Sequence, residues 1–169
     1  MENPGSGEQE IEALVERYSD LVYRLAFTST KRQNDAEDLY QEVFLRYIRR
    51  QPVFASREHE RAWFIRVTVN LAHSFWRSAW KRKIVLFAQD KDFPVSEQEA
   101  GQDHQLRELL AGLPPKDRNV LHLYYYEDYS VEQISRLLGV RASTVRTRLT
   151  RARRRFAAIL EEERKYGGE

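Results

Sequence analysis

Residues 135–156 read SRLLGVRASTVRTRLTRARRRF, twenty-two residues with eight arginines and no acidic side chain. Val145, Leu149, Ala152 and Phe156 fall within about 60° of arc at 100° per residue, so they form the buried stripe of a helix. Ile134, Leu138 and Val140 supply the surface it packs on, from a preceding helix that ends at Gly139. The spacing predicts two helices joined at a glycine turn, the arrangement that lays its second helix in a DNA major groove. The outer face presents Ser143, Thr147, Thr150, Arg151 and Arg154, with Arg146 and Arg148 on its flanks. Hydroxyls and guanidiniums bind phosphates and base edges. Ser143, Thr144, Arg146, Thr147 and Arg148 are placed for sequence reading, whereas Arg153 to Arg155, at the distal end, are expected on phosphates.

Upstream of this pair, Ser130 and Gln133 form a capping box for its first helix. Pro114-Pro115 starts another helix, since proline at the first position forfeits no hydrogen bond. The N-terminal half is helical as well. Ile11, Leu14, Val15, Tyr18, Leu21, Val22 and Leu25 repeat at helical spacing, after a start over residues 1–8 whose Gly, Pro, Ser and acids read as disordered. A second helix is expected near Asn34, capped with Glu37, running through AEDLYQEVFLRYIRR and stopping before Pro52. The loop QPVFASREHE then leads to a third, from about Arg61 to Lys83. Beyond it, KIVLFAQDKDFPVSEQEAGQDH loses the helical period and turns acidic, which reads as an inter-domain linker. No stretch reads as a strand. The prediction is an all-α chain of two small helical domains, 9–84 and 105–164, joined by a flexible acidic linker over 85–104.

The formal net charge of +2 averages over strong segregation. Residues 61–83 carry six Lys or Arg and no acid, and residues 88–103 carry five acids and one lysine. With no cysteine, disulfide frameworks and thiolate metal sites are excluded. The histidines at 59, 73, 104 and 122 have no metal-ligand spacing. No cofactor is expected. No apolar run reaches membrane-span length, and MENPGSGEQE lacks a signal-peptide core, so a soluble cytoplasmic protein without membrane insertion is expected.

On the third helix, Trp63, Phe64, Val67 and Leu71 make an apolar side expected in the core. Arg66, Asn70, His73, Arg77 and Lys81 follow at spacings of four, three, four and four, so they line one stripe suited to a phosphate backbone. Trp76 and Trp80 sit beside it, placed either to pack in the core or to stack on exposed bases. On the second helix Asp38, Gln41 and Glu42 share a face. Its acids suit the helix dipole, and equally a docking patch for a basic protein surface.

Together these segments resemble the bacterial sigma factors, in the extracytoplasmic-function group that has only the second and fourth sigma regions. AEDLYQEVFLRYIRR resembles region 2.2, including its D-L-x-Q-E core. AWFIRVTVNLAHSFWR resembles regions 2.3 and 2.4, and LPPKDRNVLHLYYYEDYSVEQISRLLGVRASTVRTRLTRARRRF resembles region 4. The resemblance spans roughly residues 10–83 and 105–160. It departs from the usual pattern at Arg141 and Ser143, where the family often has Pro-x-Gly, and at His73-Ser74, where an acid is common.

The resemblance implies a promoter-specificity subunit that binds core RNA polymerase and catalyses no covalent step. Asp38, Gln41 and Glu42 would dock on the β′ clamp helices. The loop from Gln51 to Glu60 and the third helix, with Arg61, Trp63, Arg66, Asn70, His73, Arg77 and Lys81, would capture and open the −10 element. The second domain would bind the β flap and read the −35 element through Ser143, Thr144, Arg146, Thr147, Arg148, Arg151 and Arg154. An anti-sigma factor and a role in stress response are further implications. A stand-alone helix-turn-helix regulator would leave the basic third helix and the Asp38 face without a purpose. A nucleic-acid-processing enzyme would need a carboxylate or metal cluster that the sequence does not display.

Overall fold

The computed structural model describes residues 4–86 and 112–166, and the side chains of all of these except Pro4, residues 76–86 and Glu163. The chain divides into two compact units, one ending at Trp76 and the other beginning at Arg77. Every regular element among the described residues is helical.

The first unit is built from α1 (Pro4–Thr30), α2 (Gln33–Arg50) and the first part of α3 (Arg57–Leu86). The start read as disordered is helical from Pro4. A proline at the first helical position is pre-set for the helix, and Glu8, Gln9 and Glu10 propagate it. Lys31 turns the chain between α1 and α2 in the left-handed region, at φ 65°. Asn34 does not cap α2. The extended residue before the helix is Arg32, which makes no side-chain cap, and Asn34 lies within the first turn. Glu37 instead accepts a hydrogen bond from the Gln33 side chain at 3.1 Å. The helix stops at Gln51, whose left-handed φ of 43° turns the chain one residue before Pro52. Helix α3 starts four residues earlier than the periodicity suggests, because the Ser56 hydroxyl accepts the His59 N–H at 3.2 Å. It continues to Leu86, past the expected end at Lys83. The rest of the linker expected over 85–104 lies outside the described residues.

The core of this unit joins Leu14, Tyr18, Leu21, Val22 and Leu25 of α1 to Leu39, Val43 and Phe44 of α2. From α3 it takes Phe64, Ile65, Thr68, Val69 and Ala72. Trp63, Val67 and Leu71, expected in the core, are half-buried. The buried stripe instead runs through Ile65, Val69 and Ala72, and Thr68 joins it by donating its hydroxyl to the Phe64 carbonyl at 2.6 Å. A polar letter in the sequence thus occupies a core position. Tyr18 and Phe64 stack at 4.5 Å between centroids, joining α1 to α3. Near the Lys31 corner the contacts are small, with Ala26, Ala36 and Ala72 all fully buried.

The second unit contains α4 (Pro115–Tyr125), α5 (Val131–Leu138) and α6 (Ala142–Tyr166). Proline opens α4 as its sequence indicates. Both halves of the capping box are made, Gln133 N–H to Ser130 Oγ at 3.1 Å and Ser130 N–H to Gln133 Oε1 at 2.8 Å. Gly139 ends α5 at φ 65°. The turn is held by the Ser135 hydroxyl, which donates to the Val140 carbonyl at 2.5 Å. Val145, Leu149 and Ala152 are buried against Val120, Leu123, Ile134 and Leu137, while Phe156 is half-buried. Leu137, not Leu138, fills the core beside Ile134, one turn along the same face. Leu138 and Val140 line its edge.

Candidate nucleic-acid interface

On α6 the expected outer face is exposed. Ser143, Thr147, Thr150, Arg151 and Arg154 point away from the stripe of Val145, Leu149 and Ala152, and Arg146 is exposed on one flank. Thr144 and Arg148 lie on the other flank and are half-buried. Several of these groups are held in place. Arg146 pairs across the turn with Glu132 at 3.3 Å. Arg151 reaches back to Asp117 of α4 at 3.4 Å, a carboxylate only 4% exposed. The Thr147 hydroxyl donates to the Ser143 carbonyl at 2.9 Å, which leaves its lone pairs facing outward.

Arg153 makes a further contact within the unit. Its Nε donates to the Tyr125 hydroxyl at 2.6 Å, and its guanidinium lies 5.5 and 5.4 Å from the Tyr124 and Tyr125 ring centroids. It fastens α6 to the end of α4 while itself remaining exposed. Arg154 and Arg155 remain exposed.

On α3 the structure brings Arg66 and Asn70 together on an exposed face, with His73 half-buried at its end. The side chains of Arg77, Lys81, Trp76 and Trp80 lie outside the described residues. Arg61 stands on a different face, about 140° round the helix from Arg66, and is half-buried. Trp63 is half-buried in an aromatic cluster, 6.0 Å from both Tyr47 and Phe54 and edge-on to each. Phe54 thereby ties the 51–56 loop to α3, while its neighbour Val53 stands 98% exposed. Burial, followed by the charges of Glu10 and Glu60, raises the Tyr47 pKa above its ordinary value.

On α2, Asp38 and Gln41 are exposed and Glu42 is partly so, with Arg49 3.6 Å from its carboxylate. Leu45 and Ile48 are also exposed, at 43% and 44%. The positions 38, 41, 45 and 48 recur every three or four residues, so the face is acidic at one end and apolar at the other. The face expected from the sequence ends at Glu42. The exposure of two large apolar residues one and two turns later was the missing signal.

Among the described residues, no group of three or more His, Cys, Asp or Glu is arranged to hold a metal. No described helix is long and apolar enough to cross a membrane. An arginine-faced helix-turn-helix in one unit, with exposed Arg66 and Asn70 on α3 and an acidic face on α2 in the other, defines a two-part helical DNA-binding protein.

Residues 14–82 match the Sigma-70 region 2 family and residues 103–156 match Sigma-70, region 4. Over 155 residues the chain is 33% identical to the ECF RNA polymerase sigma factor SigE of Mycolicibacterium smegmatis, covering 87% of this chain and 60% of that protein. It is 31% identical to the ECF RNA polymerase sigma factor SigL of Mycobacterium tuberculosis, covering 89% of this chain and 88% of that protein. The Bartonella quintana sigma factor RpoE, solved in complex with the anti-sigma factor NepR, has the same fold. Its TM-score is 0.73 at 18% identity, over 92% of this chain and 97% of that one. The chain belongs to the extracytoplasmic-function RNA polymerase sigma factors. Members of that family are initiation factors, not enzymes, and bind core RNA polymerase and promoter DNA.

Proposed function

We infer that this chain is a promoter-specificity subunit that joins core RNA polymerase and directs it to promoters with −10 and −35 elements. The observation carrying this is the arginine-bearing outer face of α6 in one unit, together with exposed Arg66 and Asn70 on α3 and an exposed acidic-to-apolar face on α2 in the other. In this reading Asp38, Gln41 and Glu42, continued by exposed Leu45 and Ile48, dock on the β′ clamp helices. Acids at the helix start supply charge complementarity and the apolar end supplies buried area. Arg66, Asn70 and His73, together with Arg61, Trp63, Arg77 and Lys81, serve the −10 element. The outer face of α6 enters the −35 major groove while the second unit meets the β flap. The functional limits are 9–84 and 105–164. The protein works in the cytoplasm, under the control of an anti-sigma factor and in answer to stress.

Reconstitution tests this reading. Purified chain added to core polymerase should initiate at a matched promoter and not at a scrambled one. Asp38→Ala with Glu42→Ala should weaken core-polymerase binding while leaving duplex binding by the free chain unchanged. Unaltered polymerase affinity in that variant removes the docking assignment.

A further inference from the structure

Helix α1 and the first turns of α3 enclose an open cleft of about 400 Å³, lined by Arg17, Tyr18, Asp20, Leu21, Arg24, Arg57 and Arg61. Four arginines line it, with Asp20 as the one acid of the lining. Glu60, next to the floor, is already engaged: it accepts from Arg17 at 2.8 Å and from the Tyr18 hydroxyl at 2.7 Å. Arg57 and Arg61 lie one turn apart at the start of α3, where the positive end of the helix dipole adds to their charge. Arg17 and Arg24 lie two turns apart on α1, a rise of about 10.5 Å. That length matches roughly three nucleotides of a stacked strand at 3.4 Å each. Its volume is at the lower end of small-ligand cavities, roughly 300–1,000 Å³. Guanidinium forks are the side chains best matched to phosphate oxygens.

We propose that this cleft is a phosphate-binding site that takes a run of phosphate groups. It deepens the −10 reading of the first unit, sharing only Arg61 with the residues assigned above and adding Arg17, Arg24 and Arg57. The ligand chemistry is a chain of phosphate anions, and its source is either the backbone of an unpaired DNA strand or a free linear polyphosphate.

The test uses the full-length chain, a fluorescein-labelled twelve-residue oligothymidylate and, separately, sodium tripolyphosphate. The oligonucleotide carries no promoter sequence, so its result is independent of whether −10 recognition is correctly assigned. Arg24→Ala with Arg57→Ala should weaken oligonucleotide binding about tenfold at low salt. It should also reduce the slope of log affinity against log salt by about 1.4, the loss of two single-strand phosphate contacts. Arg24→Lys with Arg57→Lys should restore most of the slope, which separates charge from folding. A lost slope without tripolyphosphate binding assigns the site to a strand. Loss of tripolyphosphate binding with an unchanged oligonucleotide slope assigns it to a free polyanion. If the alanine variant keeps the wild-type slope and the wild-type tripolyphosphate affinity, or the wild type binds neither probe, the site does not exist.

Discussion

Gly139 shows what a single residue contributes to this fold. Its φ of 65° is left-handed, and a Cβ built there meets nothing within 4 Å. The requirement for glycine is therefore conformational and not steric. Gly139→Ala should destabilise the second unit by about 1 kcal/mol, read as a lower urea midpoint, and Gly139→Asn should lose less. Equal midpoints for alanine and wild type would show that the turn relaxes. Tyr18 makes a pH prediction. Burial first, then its hydrogen bond to Glu60, raises its pKa to about 12. The folded state therefore holds the phenolic proton more tightly than the unfolded chain, whose tyrosine titrates near 10. The stabilisation is complete below pH 10 and is lost as pH rises from 10 towards 12, by on the order of 2 kcal/mol. Tyr18→Phe should flatten that alkaline decline when urea midpoints are followed between pH 9 and 11.5. A decline as steep in the variant assigns it to another group.

At the scale of an element, α6 separates reading from fastening. Arg148→Ala should weaken binding to a matched −35 duplex by about 1–3 kcal/mol if the residue contacts a base edge, with thermal stability unchanged. Arg151→Ala should do two things, because its removal strips the buried Asp117 carboxylate of its counter-charge. It should lower the unit's stability by about 1–3 kcal/mol as well as reduce DNA binding. Losses of equal size on a scrambled duplex would show that both arginines serve phosphates only. The elements that could be read from sequence are those fixed locally: the Ser130–Gln133 box, the Gly139 turn, Pro115 at a helix start and the outer face of α6. What the sequence leaves unread has both nonlocal and local causes. Arg153 meets Tyr125, 28 residues away in the chain, and no spacing along α6 reveals that contact. Thr68 is buried through a hydrogen bond that its polarity conceals, and Ser56 caps a helix before any apolar repeat announces it. The four-arginine cleft draws on two helices some 40 residues apart and was likewise invisible to a reading of single helix faces.

At the scale of the whole molecule, the distribution of charge matters more than its sum. Residues 135–156 and 61–83 are strongly basic, yet the chain carries only +2, because acids are concentrated elsewhere, five of them within 88–103. A promoter factor competes with on the order of 10⁶–10⁹ non-specific genomic sites, so its selectivity depends on limiting sequence-independent attraction. Acids on the same chain reduce that attraction through the long-range field, without touching the groups that read bases. Replacing Asp90, Asp92, Glu97, Glu99 and Asp103 by their amides removes five negative charges and takes the net charge from +2 to +7. The free variant should bind a scrambled duplex several-fold more tightly at 50 mM salt. The gain should shrink as the screening length falls to about 8 Å at 0.15 M. Because matched and scrambled duplexes gain attraction alike while base contacts are untouched, the ratio between them should hold in simple binding. Total occupancy of bulk DNA should rise, and with it the concentration of chain needed to saturate a promoter in the presence of competitor. Titrating both duplexes at two salt concentrations, with and without competitor DNA, reads all three quantities. A scrambled-duplex affinity that does not change at low salt would overturn the idea that these acids limit attraction to DNA.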